Sequence, residues 1–174
     1  MLLKNGKTLT IRKARKEDAQ ECIDYLKKVG SETDNLTIGA EGVSLTVEQE
    51  ENFLENTGKS LSSAILVGVI DYRIICIGSI MSRSGERLAH QATLGITVLK
   101  EFWGLGVGTH MMNALIEFAK NSGTIEIIGL GVKSDNTNAI ALYKKFGFRE
   151  IGRYPKFFKI NGVYYDEILM NLYL

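Results

Sequence analysis

Residues 132 to 148 read VKSDNTNAIALYKKFGF: the end of an apolar strand, a polar turn, a helical stretch and then Gly147-Phe148. On a helix, Asn136, Ala139, Ile140 and Tyr143 stand at offsets of three, four and seven positions and share one face. An amide and a phenol on a face otherwise made of small and apolar groups suit the wall of a ligand channel. Each polar residue also has an ordinary use. Asp135 or Asn136 suits a helix N-cap, and Tyr143 suits a half-buried aromatic whose hydroxyl is satisfied. Gly147 supplies the left-handed residue at which such a helix stops.

Upstream lies the apolar strand TIEIIGLGV. Before it, Val107, Met111, Leu115, Phe118 and Ala119 recur at helical spacing, with His110, Asn113, Glu117 and Lys120 on the opposite face. Gly123 closes this helix. Strand, helix, strand, helix implies one right-handed parallel crossover in an otherwise antiparallel sheet. The approach to the first helix, EFWGLGVGTHMM at 101 to 112, carries Gly104, Gly106 and Gly108 on alternate positions. It is neither of two familiar phosphate loops: Thr109 stands where a dinucleotide fingerprint needs its third glycine, and no Gly-Lys-Ser/Thr follows. What remains is a run of unencumbered backbone N–H groups at the positive end of a helix dipole, a place for an anion and most naturally a pyrophosphate. A tight strand-to-helix turn with no ligand would use the same glycines.

The rest of the chain frames this unit. TLTIRKA, residues 8 to 14, reads as a strand, and Ala19, Cys22, Ile23, Leu26 and Val29 form the apolar stripe of a helix with Glu17 and Asp18 in its first turn. A polar, glycine-punctuated loop leads to Thr46, whose spacing from Gln49 makes a capping box for a second helix ending near Gly58. SSAILVGVIDYRIICIGSIMSR and LAHQATLGITV break at Asp71-Tyr72 and Gly85 into three successive antiparallel strands ending at Val98. The chain closes as a hairpin about Asn161-Gly162, with Pro155 expected at an edge or bulge because it has no N–H to donate. The fold class is α/β of the α+β kind: a mixed, mostly antiparallel twisted sheet with one central parallel pair and helices on both faces.

A length of 174 residues at 45% hydrophobic composition fits one domain over 1–174. With 21 basic against 20 acidic residues, the net charge of +1 argues against a nucleic-acid partner. Cys22 and Cys76 lie too far apart for a CxxC pair and read as core residues, and no metal constellation appears. The N-terminus has no apolar run of signal-peptide length, and AILVGVI at 64 to 70 is too short to span a bilayer, so a cytoplasmic protein with no membrane partner is expected. Exposed strand edges in the final hairpin and the Phe157-Phe158 pair are compatible with a homodimer.

Taken together, GITVLKEFWGLGVGTHMMNALIEFA and VKSDNTNAIALYKKFGF resemble the GNAT superfamily, the acyl-CoA-dependent N-acetyltransferases, in motif type, order and separation. The resemblance is close over residues 88 to 152 and looser from residue 8 to the final hairpin. A family loop of the form Arg/Gln-x-x-Gly-x-Gly/Ala falls on Trp103, Gly104, Leu105, Gly106, Val107 and Gly108. The family's Asn-x-x-Ala and Tyr-x-x-x-Gly-Phe fall on Asn136, Ala139, Tyr143, Gly147 and Phe148. The resemblance implies a GNAT-like fold whose splayed strands hold acetyl-CoA, with the loop from Trp103 to Thr109 on the pyrophosphate. It implies further that the backbone of Ile96, Thr97 and Val98 pairs with the pantetheine arm, Val98 N–H polarising the thioester carbonyl as an oxyanion contact. Asn136 and Ala139 then border the thiol end, and Tyr143 is the general acid for the departing thiolate, a task within reach of a phenol of pKa about 10. Lys145, with Lys144 and Lys133, suits the cofactor's phosphates, although each lysine alone reads as a solvated charge.

Two departures stand out. Trp103 occupies the position where the family loop usually begins with Arg or Gln, which leaves pyrophosphate binding to the backbone amides. The family often carries a Glu on the strand corresponding to LAHQATLGITV, and that strand has no carboxylate here. Deprotonation of the amine then falls to His90, to Glu126 on the adjacent strand, or to water relayed by backbone carbonyls. By resemblance, the first helix, the loop after it and the final hairpin border the acceptor pocket. That directs attention to Glu32 and Asp34, and beyond them to Glu41, Tyr164, Tyr165, Asp166 and Glu167, as charge for a cationic amine or as hydrated surface groups. The function expected is transfer of an acetyl group from acetyl-CoA to a small-molecule amine or a protein amine. A non-catalytic acyl-CoA sensor and a structural domain whose glycines serve only the turn are the readings from other classes.

Overall fold

The computed structural model covers all 174 residues. The chain runs β1 (Thr10–Lys13), α1 (Ala19–Glu32), α2 (Val47–Gly58), β2 (Ala64–Ile70), β3 (Arg73–Ser82), β4 (Gln91–Val98), α3 (Val107–Asn121), β5 (Ile127–Lys133), α4 (Thr137–Lys145), β6 (Arg149–Ile160) and β7 (Val163–Tyr173). The seven strands form one sheet in the order β1-β2-β3-β4-β5-β7-β6. Every neighbouring pair is antiparallel except β4 and β5, the pair joined through α3.

Local chemistry explains the corners. Asp71 and Tyr72 (φ 48° and 63°) and Asn161 and Gly162 (φ 49° and 82°) place two successive residues at positive φ, the geometry of a two-residue hairpin that follows the strand twist. Thr46 Oγ1 accepts from the Gln49 N–H at 3.2 Å while Gln49 Oε1 accepts from the Thr46 N–H at 2.9 Å, completing the capping box of α2. Pro155 sits on edge strand β6 where the register with β7 breaks between Tyr154 and Phe158. No helix is long and apolar enough to cross a membrane.

Strand alternation assigns the two faces. A Cβ on Gly78 of β3 would fall 2.7 Å from Met111 Sδ and 2.9 Å from Leu115 Cδ1, so α3 lies directly on that face. Met111, Met112 and Leu115 are wholly buried there. On the other face Tyr25 of α1 donates to Thr97 Oγ1 of β4 at 3.0 Å. Cys22 and Cys76 are both free and buried, as core residues. Tyr25 is a core residue that the aliphatic stripe did not include: it is 4% exposed.

Glu17 and Asp18 do not occupy the first turn of α1; they fall in a separate 3₁₀ turn, Lys16–Asp18, ahead of it. The reason is Arg12, whose guanidinium donates twice to Asp18, at 2.6 and 2.8 Å, while the Arg15 N–H donates to the same carboxylate at 2.7 Å. The Arg12 hydrogen bond, followed by that of the Arg15 backbone, holds the Asp18 carboxyl below the usual carboxylate range. A depressed folded-state pKa stabilises the protein above the unfolded-chain value of about 3.9, and the contribution is lost as pH falls through the folded value. Asp18→Asn should therefore lower the unfolding free energy at pH 7 by about 1–3 kcal/mol. In urea titrations the gap to wild type should narrow as pH drops below about 4.

Candidate active site

β4 and β5 pair only through Gln91↔Ile127, Ala92↔Ile128 and Thr93↔Gly129, and beyond that point they part. The Leu99 N–H donates to Ile75 O at 3.1 Å and the Arg83 N–H to Gln91 O at 2.9 Å. Because antiparallel strands bond through alternate residues, the odd-numbered residues of β4 turn their backbone to β3. Ile96 and Val98 turn theirs toward β5, which has moved away. On the far side Leu174 N–H to Glu126 O and Ser134 N–H to Asp166 O, both 2.9 Å, commit the even-numbered residues of β5 to β7. Gly131 and Lys133 therefore face the gap. A slot edged by unpaired peptide groups results, apart from the Lys133 carbonyl, which accepts from the Asn136 N–H at 3.0 Å. Of the three residues expected to pair with a pantetheine arm, Ile96 and Val98 present their backbone, whereas Thr97 faces β3 and its hydroxyl donates to Ile77 O at 3.3 Å.

The glycine loop closes the wide end of the slot. Trp103 Nε1–H donates to Val98 O at 2.7 Å, so the residue standing in place of Arg or Gln ties the loop to the end of β4 and leaves the Val98 N–H open. Gly104 and Gly106 have φ of +74° and +96°, and a Cβ on either would meet nothing within 4 Å. Glycine is required there by the left-handed backbone, not by packing. None of the N–H groups from Gly104 to Thr109 donates to a backbone carbonyl; the first helical bond is His110 N–H to Gly106 O at 3.1 Å. The first turn of α3 holds no carboxylate. Six successive N–H groups at a helix N-terminus fit the pyrophosphate of a coenzyme. Gly108 has a second duty, since a Cβ there would lie 3.2 Å from Leu142 Cδ2 and hold α3 away from α4.

Along α4, Asn136 Oδ1 accepts from the Ala139 N–H at 3.3 Å, so the carbonyl half of the amide is the N-cap. The Phe148 N–H donates to Tyr143 O at 3.1 Å and the Gly147 N–H to Lys144 O at 3.0 Å, a Schellman ending in which the Tyr143 and Phe148 rings stand 5.8 Å apart. The Tyr-x-x-x-Gly-Phe spacing is thus a helix terminus that fixes Tyr143. Burial pushes its phenol up to about 12. No fully buried side-chain oxygen lacks a partner, so the Tyr143 hydroxyl, which has none, opens onto accessible space. Lys145 is exposed on the last turn of α4. Lys133 Nζ is taken up by Asp135, at 2.5 and 2.6 Å, and by the Tyr165 ring at 3.6 Å, which removes it from any phosphate.

His90 is not brought to the slot. It precedes β4, about 10 Å along the chain behind Thr93, where the strands part. Its carbonyl accepts from the Glu126 and Ile127 N–H groups at 2.8 and 3.0 Å, so Glu126 lies at the same closed end. Glu32 accepts from the Lys100 N–H at 2.7 Å and anchors the turn after β4. Asp34 lines a cavity of about 390 Å³ between the loop after α1 and the final hairpin, together with Phe157, Phe158 and Lys159. A second cavity, of about 260 Å³, lies over Thr93, Gly129 and Gly131 and reaches Arg83, Glu167 and Asn171. The alternation Gly129-x-Gly131, read above only as part of an apolar strand, is the signal for it: two missing side chains bare one face of β5.

Comparison with known proteins agrees with this geometry. The acetyltransferase (GNAT) family matches residues 32–148. The chain is 34% identical over 105 residues to the L-amino acid N-acetyltransferase AaaT of Escherichia coli (strain K12), a match covering 60% of this chain and 65% of that protein's length. The acetyltransferase of the GNAT family from Streptococcus pneumoniae has the same fold at a TM-score of 0.93 and 31% identity, over 96% of this chain and 100% of that one. yncA from Salmonella typhimurium, solved with its cofactor acetyl-CoA, shares the fold at a TM-score of 0.82 and 21% identity, over 95% and 94% of the two chains.

Proposed function

This chain belongs to the acetyltransferase (GNAT) family, and we propose that it moves the acetyl group of acetyl-CoA to a primary amine by direct attack of the amine on the thioester. The observation that carries this reading is the slot between β4 and β5, edged by unpaired backbone and ending in the N–H cradle of Gly104 to Thr109. When bound, acetyl-CoA supplies an acyl carbon to which the amine nitrogen bonds while the carbon–sulfur bond breaks and its electron pair leaves with sulfur. The cradle holds the pyrophosphate, and Ile96 and Val98 offer peptide groups to the pantetheine arm. Val98 N–H, left free by the Trp103 bond to its carbonyl, donates to the oxygen on which charge develops. Tyr143 keeps its proton throughout the physiological range and gives it to the sulfur.

The acceptor is a small-molecule or protein amine. Each cavity carries one carboxylate beside one cationic side chain, Asp34 with Lys159 and Glu167 with Arg83, and the Escherichia coli relative is named for L-amino acids. Isothermal calorimetry against acetyl-CoA, with NAD and ATP as controls, followed by thiol release with L-amino acids, a polyamine and a peptide bearing a free N-terminus, tests the reading. Selective acetyl-CoA binding and acetylation of at least one amine are expected. Failure of folded protein to bind acetyl-CoA would overturn it, and binding without transfer would leave a sensor.

A further inference from the structure

We propose that Glu167 is the general base of this enzyme, taking the proton from the acceptor's ammonium on the face of the slot opposite Tyr143. The proposal rests on the acetyltransferase reading and supplies the group which that reading lacks.

Glu167 belongs to β7, in register with Lys133 of β5. A Cβ built on Gly131 would collide with the Glu167 carboxylate. The carboxylate thus fills the place where a side chain of β5 would stand, two residues past the last paired residue, Gly129. A base is delivered to the slot from the neighbouring strand, and the missing side chain at position 131 makes room for it.

The faces agree with the chemistry. Gly78 lies beneath α3 and pairs with Ile96, so the even-numbered residues of β4 belong to the α3 side, while Thr97 faces Tyr25 of α1. Through the registers Thr93↔Gly129, Gly131↔Leu169 and Lys133↔Glu167, Glu167 shares the α1 side. Tyr143 is on α4, which abuts α3 through Leu142 and Gly108. The arrangement suits direct attack: the base meets the nitrogen before it bonds, and the acid meets the sulfur as the carbon–sulfur bond breaks. The cavity of about 260 Å³ over Gly129 and Gly131 gives the amine its approach.

Glu167 is also uncommitted. Lys133, its register partner, is held by Asp135 and the Tyr165 ring. The other charged or titratable groups around it are Arg83, which lines the same cavity, Tyr154 opposite on β6, and Tyr165 two positions along β7. Burial raises its carboxyl above the ordinary glutamate value, toward the range in which a base is both free and effective. One proton passes from the nitrogen to Glu167 and on to solvent, giving the nitrogen the lone pair with which it attacks. The second passes, once the C–N bond has formed, to the Tyr143 oxygen that protonated the sulfur. The turnover thereby releases one proton and leaves one on the thiol.

Glu167→Gln is expected to lower kcat/KM at pH 7 by about 10²–10³-fold. Acetyl-CoA affinity and Tm should not change. The deficit should shrink as pH rises toward the amine's own pKa, because the free amine then needs no base. In the wild-type protein without ligands, a carboxyl-carbon NMR titration should show two Glu above about 4.3, the buried Glu50 and Glu167, and only the second should be absent from the variant. Active wild type with an indifferent variant, or a Glu167 that titrates at or below that value, would overturn the assignment alone. Wild type that acetylates none of the amines would overturn the acetyltransferase reading, and this assignment with it.

Discussion

Tyr143→Phe is expected to lower kcat by about 10²–10³-fold without weakening acetyl-CoA binding. The substitution removes one oxygen and nothing that holds the helix. The ring contact with Phe148 and the backbone bonds of the Schellman ending are indifferent to the hydroxyl. The hydroxyl has no partner in the protein, so its loss leaves no polar group unsatisfied, and Tm should stay the same or rise slightly. On the proposed mechanism only proton donation to sulfur is lost, and that step belongs to the transition state and not to binding. With the phenol pushed up to about 12, wild-type turnover should show no alkaline decline from Tyr143 at pH values up to the ordinary phenol value of about 10. Thiol release measured beside calorimetry on the two proteins decides the matter. Equal turnover would remove Tyr143 from the mechanism and return it to the core as an ordinary aromatic.

What was legible in the sequence follows a physical division. Local rules located what local chemistry controls: the capping box at Thr46, the hairpins at Asp71-Tyr72 and Asn161-Gly162, the stop at Gly147 and the bare loop before α3. Facts that depend on pairing register were hidden. Whether Thr97 or its neighbours face the slot is decided by which alternate residues of β4 bond to β3, and a shift of one residue would reverse the answer. Glu167 and Gly131 lie 36 positions apart and meet only because β7 inserts between β5 and β6. The sequence therefore leaves the base open among His90, Glu126 and a relayed water, and the structure leaves His90 and Glu126 at the closed end. Trp103 shows the same limit in another way. Read as a missing cation, it is a donor that holds Val98, a role visible only once the indole is seen against that carbonyl. Glu32, taken for a substrate ligand, satisfies the Lys100 N–H for a similar reason: the end of α1 and the turn after β4 are distant in sequence and adjacent in space.

Gly106→Ala should separate the two uses of the glycine loop. At φ +96° an alanine adopts the left-handed conformation at a cost of about 1–2 kcal/mol in fold stability. No collision adds to that, because a Cβ there meets nothing within 4 Å. The methyl group instead projects into the open space beside the N–H groups of α3's first turn. An anion seated on them would lose one or two charge-assisted hydrogen bonds, a weakening of acetyl-CoA binding by about 10- to 100-fold. The strain needs its own control, and Gly123 supplies one: it too is left-handed, at φ +67°, its Cβ would also meet nothing within 4 Å, and it lies at the other end of α3. Gly123→Ala should show a comparable loss in urea denaturation with no change in acetyl-CoA affinity. If instead the two variants lose similar stability and bind acetyl-CoA as the wild type does, the glycines serve the turn alone and the cradle assignment fails. Loss of affinity confined to Gly106→Ala would mean that the backbone there is bare because a pyrophosphate rests on it.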